Sequence, residues 1–278
     1  MAVERRCSMN GGDHHSTSVA IVTGASSGIG EATARRLARD GMRVTLAARR
    51  QDELERVAGE IEAGGGQALV APTDVRDRAA IHRMVKITLD TWGRVDVLIN
   101  NAGLGYSAHV VNLNPDQLRA QVDVNLVAVI ECAQAVLPAM MQRKSGHIIN
   151  VASIAGFVGL PGSSTYSATK SAVISFSDAL RREVRDAKCG IQVTALCPGF
   201  VATNFSPRLK KIAEGRPDAQ RLPGVMQADY VANCIASLIR HPRRRLIIPP
   251  GWGLLAAIAQ AFPWLTDFAL SRYVEQDG

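Results

Sequence analysis

Val19-Ala20-Ile21-Val22-Thr23-Gly24-Ala25-Ser26-Ser27-Gly28-Ile29-Gly30 is the stretch whose reading decides the fold. Val19 to Val22 form a short apolar run of strand type, and they lead straight into a glycine-rich loop. A helical pattern follows through Ala34, Leu37 and Ala38 and stops at Asp40-Gly41. A second β-rich run, Val44-Thr45-Leu46-Ala47, comes next. The loop therefore sits between a strand and a helix, with another strand beyond. Glycines there permit a tight turn and let backbone N–H groups approach an anionic group at the helix N-terminus. The plain alternative is an ordinary strand-to-helix turn.

Downstream, the alternation of elements continues. A helix is expected from Gln51 to Ala63, ended by Gly64-Gly65-Gly66, then a third strand at Ala68–Ala71. A helix over Arg78–Trp92 precedes a fourth strand, Val95–Ile99, which ends in Asn100-Asn101-Ala102-Gly103. A long apolar helix opens at Val122 and reaches about Gln142, with Pro138 as the expected kink. The fifth strand, His147–Val151, delivers Ser153 at its end. A helix from Tyr166 to Val184, a sixth strand at Gln192–Cys197 and a helix over Ala228–Ile239 complete the series. Strands alternating with helices predict an α/β fold: a single doubly wound domain, with a parallel sheet of about seven strands and helices on both faces. Residues 19–250 read as that domain, 1–18 as a disordered N-terminal segment and 251–278 as an apolar C-terminal extension.

Bulk properties narrow the function classes. The chain has 278 residues, 47% of them hydrophobic, enough for a substantial core. A net charge of +7 suits an anionic ligand, but no zinc-finger spacing, aromatic RNA-binding signature or long basic tract points to nucleic acid. The five cysteines are scattered, with no Cys-x-x-Cys pair, which fits a reducing, cytoplasmic setting. No metal site is expected; His14 and His15 sit in the polar start, which has no apolar signal region.

Two further stretches carry chemistry. At the end of the second strand, where an acidic residue would bind a ribose hydroxyl, the chain has Arg49 and Arg50. A guanidinium there can pair with a 2′-phosphate, which favours NADP(H) over NAD(H), with Arg49 first and Arg50 second. The other reading is that both arginines are solvated at a helix start. Ser153 is followed after a Gly/Pro-rich loop by Tyr166, and then by Lys170 one helical turn on. An ammonium beside a phenol favours the phenolate and would lower the tyrosine pKa toward neutrality.

The Gly-x-x-x-Gly-x-Gly spacing opened by Thr23, the Asn-Asn-Ala-Gly turn, the Ser153/Tyr166/Lys170 set and Pro198-Gly199-Phe200-Val201-Ala202-Thr203 together resemble the short-chain dehydrogenase/reductase family, of Rossmann type, across roughly Val19 to Ile248. The resemblance implies cofactor contacts from Gly24, Ser26, Ser27, Gly28, Ile29 and Gly30. It implies that Asp74 and the Val75 backbone hold the adenine, and that Asn101, Ala102 and Gly103 lie against the cofactor. Tyr166 and Lys170 would bind the nicotinamide ribose, and Pro198, Gly199, Val201 and Thr203 the nicotinamide. Ser153 would hold the substrate oxygen, Tyr166 move the proton, Lys170 lower the tyrosine pKa, and Asn125 hold a water in a proton relay.

The implied activity is NADP(H)-dependent interconversion of an apolar carbonyl compound and its alcohol. Leu104, Tyr106, Phe157, Leu160 and Phe200 are expected to line the pocket, with Trp252 as a possible addition, and Asn204 to Val225 to form a substrate lid. Ketones, aldehydes, steroids, retinoids and acyl chains all stay open. The alternatives are 3-oxoacyl-carrier reduction and a non-catalytic dinucleotide-sensing regulator on the same fold. A homodimer is expected, with a tetramer as the alternative. The apolar tail departs from the family pattern. It is too broken by Gln260, Pro263 and Asp267 to span a membrane, and reads as pocket or subunit cover, peripheral membrane contact or ordinary packing.

Overall fold

The computed structural model describes residues 18–203, 205 and 224–274, with side chains as far as 268. The N-terminal segment expected to be disordered lies outside the described residues except for Ser18. The expected lid lies outside them except for Phe205, Gly224 and Val225.

In chain order the elements are β1 (Val19–Thr23), α1 (Gly28–Arg39), β2 (Arg43–Ala48), α2 (Gln51–Ala63), β3 (Gln67–Pro72), α3 (Arg78–Trp92) and β4 (Val97–Asn100). Then come α4 (Pro115–Val122), a π-helical turn (Asp123–Val127), α5 (Ala128–Arg143), β5 (Gly146–Val151) and α6 (Ser164–Asp186). The series ends with β6 (Ile191–Pro198), β7 (Val201–Ala202), β8 (Met226–Gln227), α7 (Ala228–Arg240), β9 (Arg245–Ile248), α8 (Trp252–Ala261) and α9 (Pro263–Val274).

Seven strands form one sheet in the order β3-β2-β1-β4-β5-β6-β9, and every pair in it is parallel. The expected doubly wound, Rossmann-type α/β fold is present. The period-2 alternation of a strand explains how both faces are filled. Ala20 and Val22 pack with Leu37 of α1, Val57 of α2 and Ile235 of α7. Ile21 points the other way, into Ile81 of α3, Val136 of α5 and Leu180 of α6. Strand order reverses between β1 and β4, which opens a crevice at the carboxyl ends of the strands.

Several boundaries differ from expectation by a residue or more, two of them with a clear physical cause. β4 begins at Val97 rather than Val95, because the Asp96 carboxylate accepts the Val19 N–H (2.8 Å) and pairs with Arg94 (2.7 Å). The long helix starts earlier, at Pro115, where Asn114 Oδ1 accepts from the Asp116 and Gln117 N–H groups. Its departure from α geometry is the π turn at Asp123–Val127, and residues 128–143 stay α-helical through Pro138. The run from Pro115 to Arg143 is long and apolar enough to cross a membrane, yet Val129, Cys132, Ala133, Val136 and Met140 are buried in the core.

Candidate active site

The glycine loop is fastened to the end of β4. Thr23 Oγ1 accepts from the N–H groups of Asn101 and Ala102, both at 3.0 Å, and Asn101 Nδ2 donates to Thr23 O at 2.9 Å. The close approach leaves no room for a side chain at Gly30, where an added Cβ would fall 2.2 Å from Gly24 O. Gly28 has φ +58 and an added Cβ there would lie 3.1 Å from Thr203 Cγ2, so the Pro198–Thr203 segment comes up to the loop. Ser27, the N-cap of α1, makes no side-chain cap, so its own hydroxyl does not take the first N–H groups of the helix. Ser26 is buried, and Ile29 packs partly buried on the core. An anionic group suits such a helix start, where backbone N–H groups favour negative charge and the glycines leave room for a close approach.

At the far end of β2 the two arginines divide. Arg50 Nη2 donates to Ser26 Oγ (3.2 Å) and Ser26 O (3.3 Å). Arg49 is exposed and acts on Asp74 through its field. Asp74 itself is gripped by Arg76, with contacts of 2.6 and 3.1 Å, and this ion pair holds its carboxyl below the usual carboxylate range. Val75 is buried against Val124 and Ala128.

Ser153 follows β5 and opens a short 3-10 turn, its Oγ accepting from Ala155 N at 3.2 Å and lying 3.4 Å from Pro198 O. Tyr166 and Lys170 lie in the first two turns of α6. Lys170 is buried, donates to Val151 O at 2.8 Å, and has Nζ 5.8 Å from the centroid of the Tyr166 ring. In the chain by itself burial dominates both groups. It pushes Tyr166 up to about 12, partly offset by a hydrogen bond from Ser153, and Lys170 down to about 8. The lowered tyrosine pKa expected from the Tyr-Lys spacing is not seen in the chain by itself: Lys170 spends its close hydrogen bond on Val151 O, and at Tyr166 desolvation outweighs the opposing hydrogen bond from Ser153.

Asn125 sits fully buried in the π turn. Its amide bonds both sides of Leu104, accepting from the N–H at 2.7 Å and donating to the carbonyl at 2.9 Å, with Thr169 Oγ1 at 3.3 Å. Its side chain thus pins the loop after Gly103, a role that no local pattern signals. The buried Gln121 adds a bond to the same carbonyl at 3.2 Å.

The expected pocket residues have separate neighbours. Leu104 packs with Val75, Val124 and Ala128, and Phe157 lies under the Arg245 guanidinium at 5.0 Å. Leu160 N–H donates to Ser167 Oγ at 3.3 Å, and Tyr106 is half-buried. Phe200 meets Trp252 edge-on with centroids 6.0 Å apart. Trp252 also fills the space beside two glycines: a Cβ on Gly199 would come 2.8 Å from its Cζ3, and one on Gly224 3.0 Å from its Cζ2. Phe205 has no distinguishing signal in sequence, inside a charged stretch, yet its ring centroid is 5.5 Å from that of Tyr166.

This geometry has counterparts among known proteins. The short chain dehydrogenase family model matches residues 18–213, and the chain belongs to that family. It is 38% identical over 227 residues to a 3-oxoacyl-[acyl-carrier-protein] reductase of Synechocystis, covering 81% of this chain and 90% of the relative. It is 41% identical over 185 residues to an uncharacterized oxidoreductase of Staphylococcus aureus, covering 66% of this chain and 78% of that one. Among solved structures, a short chain dehydrogenase/reductase from Burkholderia phymatum in complex with NAD superposes with a TM-score of 0.80 at 27% identity, covering 90% of this chain and 95% of that one. An actinorhodin polyketide ketoreductase with NADPH gives 0.75 at 33% identity, covering 85% and 97%. The protein is a short-chain oxidoreductase that acts on CH–OH or carbonyl groups with a nicotinamide dinucleotide.

Proposed function

We propose that the enzyme is an NADP(H)-dependent reductase of apolar ketones or aldehydes. The observation that carries this reading is the meeting of Ser153, Tyr166 and Lys170 on the sheet edge that also holds the glycine cradle. When bound, the nicotinamide supplies the hydride. Ser153 and Tyr166 hydrogen-bond the substrate oxygen and stabilise the negative charge that grows there. Tyr166, held as the neutral phenol by burial, is the proton donor to that oxygen. Even at about 12, a phenol is a far stronger acid than the alcohol being formed, so the transfer is downhill. Lys170, at about 8, is largely an ammonium at neutral pH and supports the transient phenolate. Gly24, Gly28 and Gly30 would cradle the pyrophosphate, and Pro198 to Thr203 would hold the nicotinamide. Arg49, exposed at the end of β2, would pair with the 2′-phosphate.

Tyr166→Phe is the test. With NADPH and a panel of apolar carbonyl compounds, kcat is expected to fall by about 100-fold or more. A variant as active as wild type would remove the assignment. The kinship with an acyl-carrier-protein reductase supports a second reading, in which the carbonyl arrives on an acyl chain. Reduction of a 3-oxoacyl thioester in preference to free ketones would favour it.

A further inference from the structure

The Phe205 ring packs against that of Tyr166. The two rings are 5.5 Å apart and inclined by 58°. The Phe205 ring also presses on the loop after β4. A Cβ on Gly105 would come 2.4 Å from Phe205 Cε1, and one on Gly103 would come 3.7 Å from Cε2. Only the missing side chain at Gly105 lets the ring sit there. The loop cannot easily retreat, because Asn125 and Gln121 hold Leu104 between those glycines. The backbone of Phe205 is tied as well, its N–H donating to Thr203 Oγ1 at 3.4 Å, and Thr203 abuts Gly28 of the cradle. The ring is nevertheless 37% exposed, so a molecule entering from solvent meets it.

The substrate carbonyl has to bring its oxygen to Tyr166 and Ser153. Its two substituents then diverge, and one of them is turned toward the wall made by Phe205 and the Gly103–Gly105 loop. Apolar surface for a larger substituent exists along the same edge, where Phe200 is 45% exposed and edge-on to Trp252. Building on the reductase reading above, we propose that Phe205 limits the size of the smaller carbonyl substituent. The preferred substrates are aldehydes and methyl ketones with a single long apolar arm.

Two isomeric ketones test this with the full chain and NADPH. 2-Octanone and 4-octanone share a formula and apolarity but differ in the smaller flank, methyl against propyl. Wild type is expected to favour 2-octanone in kcat/KM by about tenfold or more, the scale at which a crowded apolar site discriminates methylenes. Phe205→Ala should bring the two ketones within about threefold of each other, mainly through tighter binding of the propyl-flanked isomer, read as a lower KM. Phe205→Leu, which keeps an apolar side chain in place and guards against a folding defect, should give an intermediate ratio. An unchanged ratio in Phe205→Ala overturns the proposal, as does a wild-type enzyme that reduces 4-octanone equally well, or that reduces other carbonyls but neither octanone. Failure of the reductase reading looks different: Tyr166→Phe then matches wild type on every carbonyl, whatever the octanone ratio.

Discussion

Burial moves Tyr166 and Lys170 in opposite directions, each toward its uncharged form. A spacing of four residues says that two side chains share a helix face, but nothing about how much water surrounds them. Arg49 is the reverse case, because its exposure and position at the end of β2 follow from the strand pattern alone. Charge-assisted hydrogen bonds are worth about 1.5–3 kcal/mol each. Arg49→Asp is therefore expected to weaken NADPH binding by about tenfold to a hundredfold and NADH binding much less; equal losses in a fluorescence titration would sink the NADP(H) preference. His147 gives a pH prediction. It is buried, with Nε2 2.8 Å from Thr194 Oγ1 and Nδ1 without a hydrogen-bond partner among the described residues. Burial pushes its pKa from 6.5 down to about 4. Between those values the unfolded chain binds the proton and the folded chain does not, so stability falls as pH drops from 6.5 toward 4. The total is about 3 kcal/mol. Urea midpoints at pH 7 and at acid pH should show that loss in wild type and much less of it in His147→Gln; the same loss in both would assign the acid sensitivity elsewhere.

Among the elements, α2 and α3 were legible to the residue, because glycine stops and apolar periodicity are local signals. The π turn around Asn125 was not. Its sequence, Asp-Val-Asn-Leu-Val, reads as ordinary helix. The extra residue in the turn faces the Asn125 amide to the Leu104 main chain, a partner 21 residues away. The buried ladder of Asn100, Asn150 and Ser177 is similar. Asn100 Nδ2 donates to Asn150 Oδ1, and Asn150 Nδ2 to Ser177 Oγ, both at 2.9 Å. The pairing exists because the β4–β5 register sets Asn100 beside Asn150. Each asparagine alone resembles a polar strand end, and only the register joins the two, with Ser177, into a satisfied polar link between β4, β5 and α6.

For the whole molecule, the C-terminal extension lies beyond residues 18–213, the part that the family model matches. In α8 only Ala256 is fully buried, whereas Leu254 and Leu255 are 67% and 60% exposed, and beyond it Phe262 and Trp264 are 50% and 64% exposed. Complete burial of such a side chain is worth about 1.5–3 kcal/mol, and roughly half of that is forgone here at each. What anchors the extension to the site is Trp252, wedged against Gly199 and Gly224. Ending the chain after Pro250 is therefore expected to lower kcat/KM for apolar ketones by up to about tenfold, since an aromatic pair such as Phe200–Trp252 is worth about 0.5–1.5 kcal/mol. Unchanged kinetics would mean that the extension serves another surface, and co-sedimentation of the full but not the shortened chain with phosphatidylglycerol vesicles would identify a membrane as that surface. The sequence by itself determined the strand–helix alternation, the glycine cradle, the arginines after β2 and the Ser-Tyr-Lys set, because each is written in periodicity or in residues at short range. Only the tertiary structure decided that Phe205 faces Tyr166, that Asn125 grips Leu104, and that Trp252 reaches back to Gly199. These are contacts across distant chain segments, fixed by how the sheet brings its edge together and invisible to any local pattern.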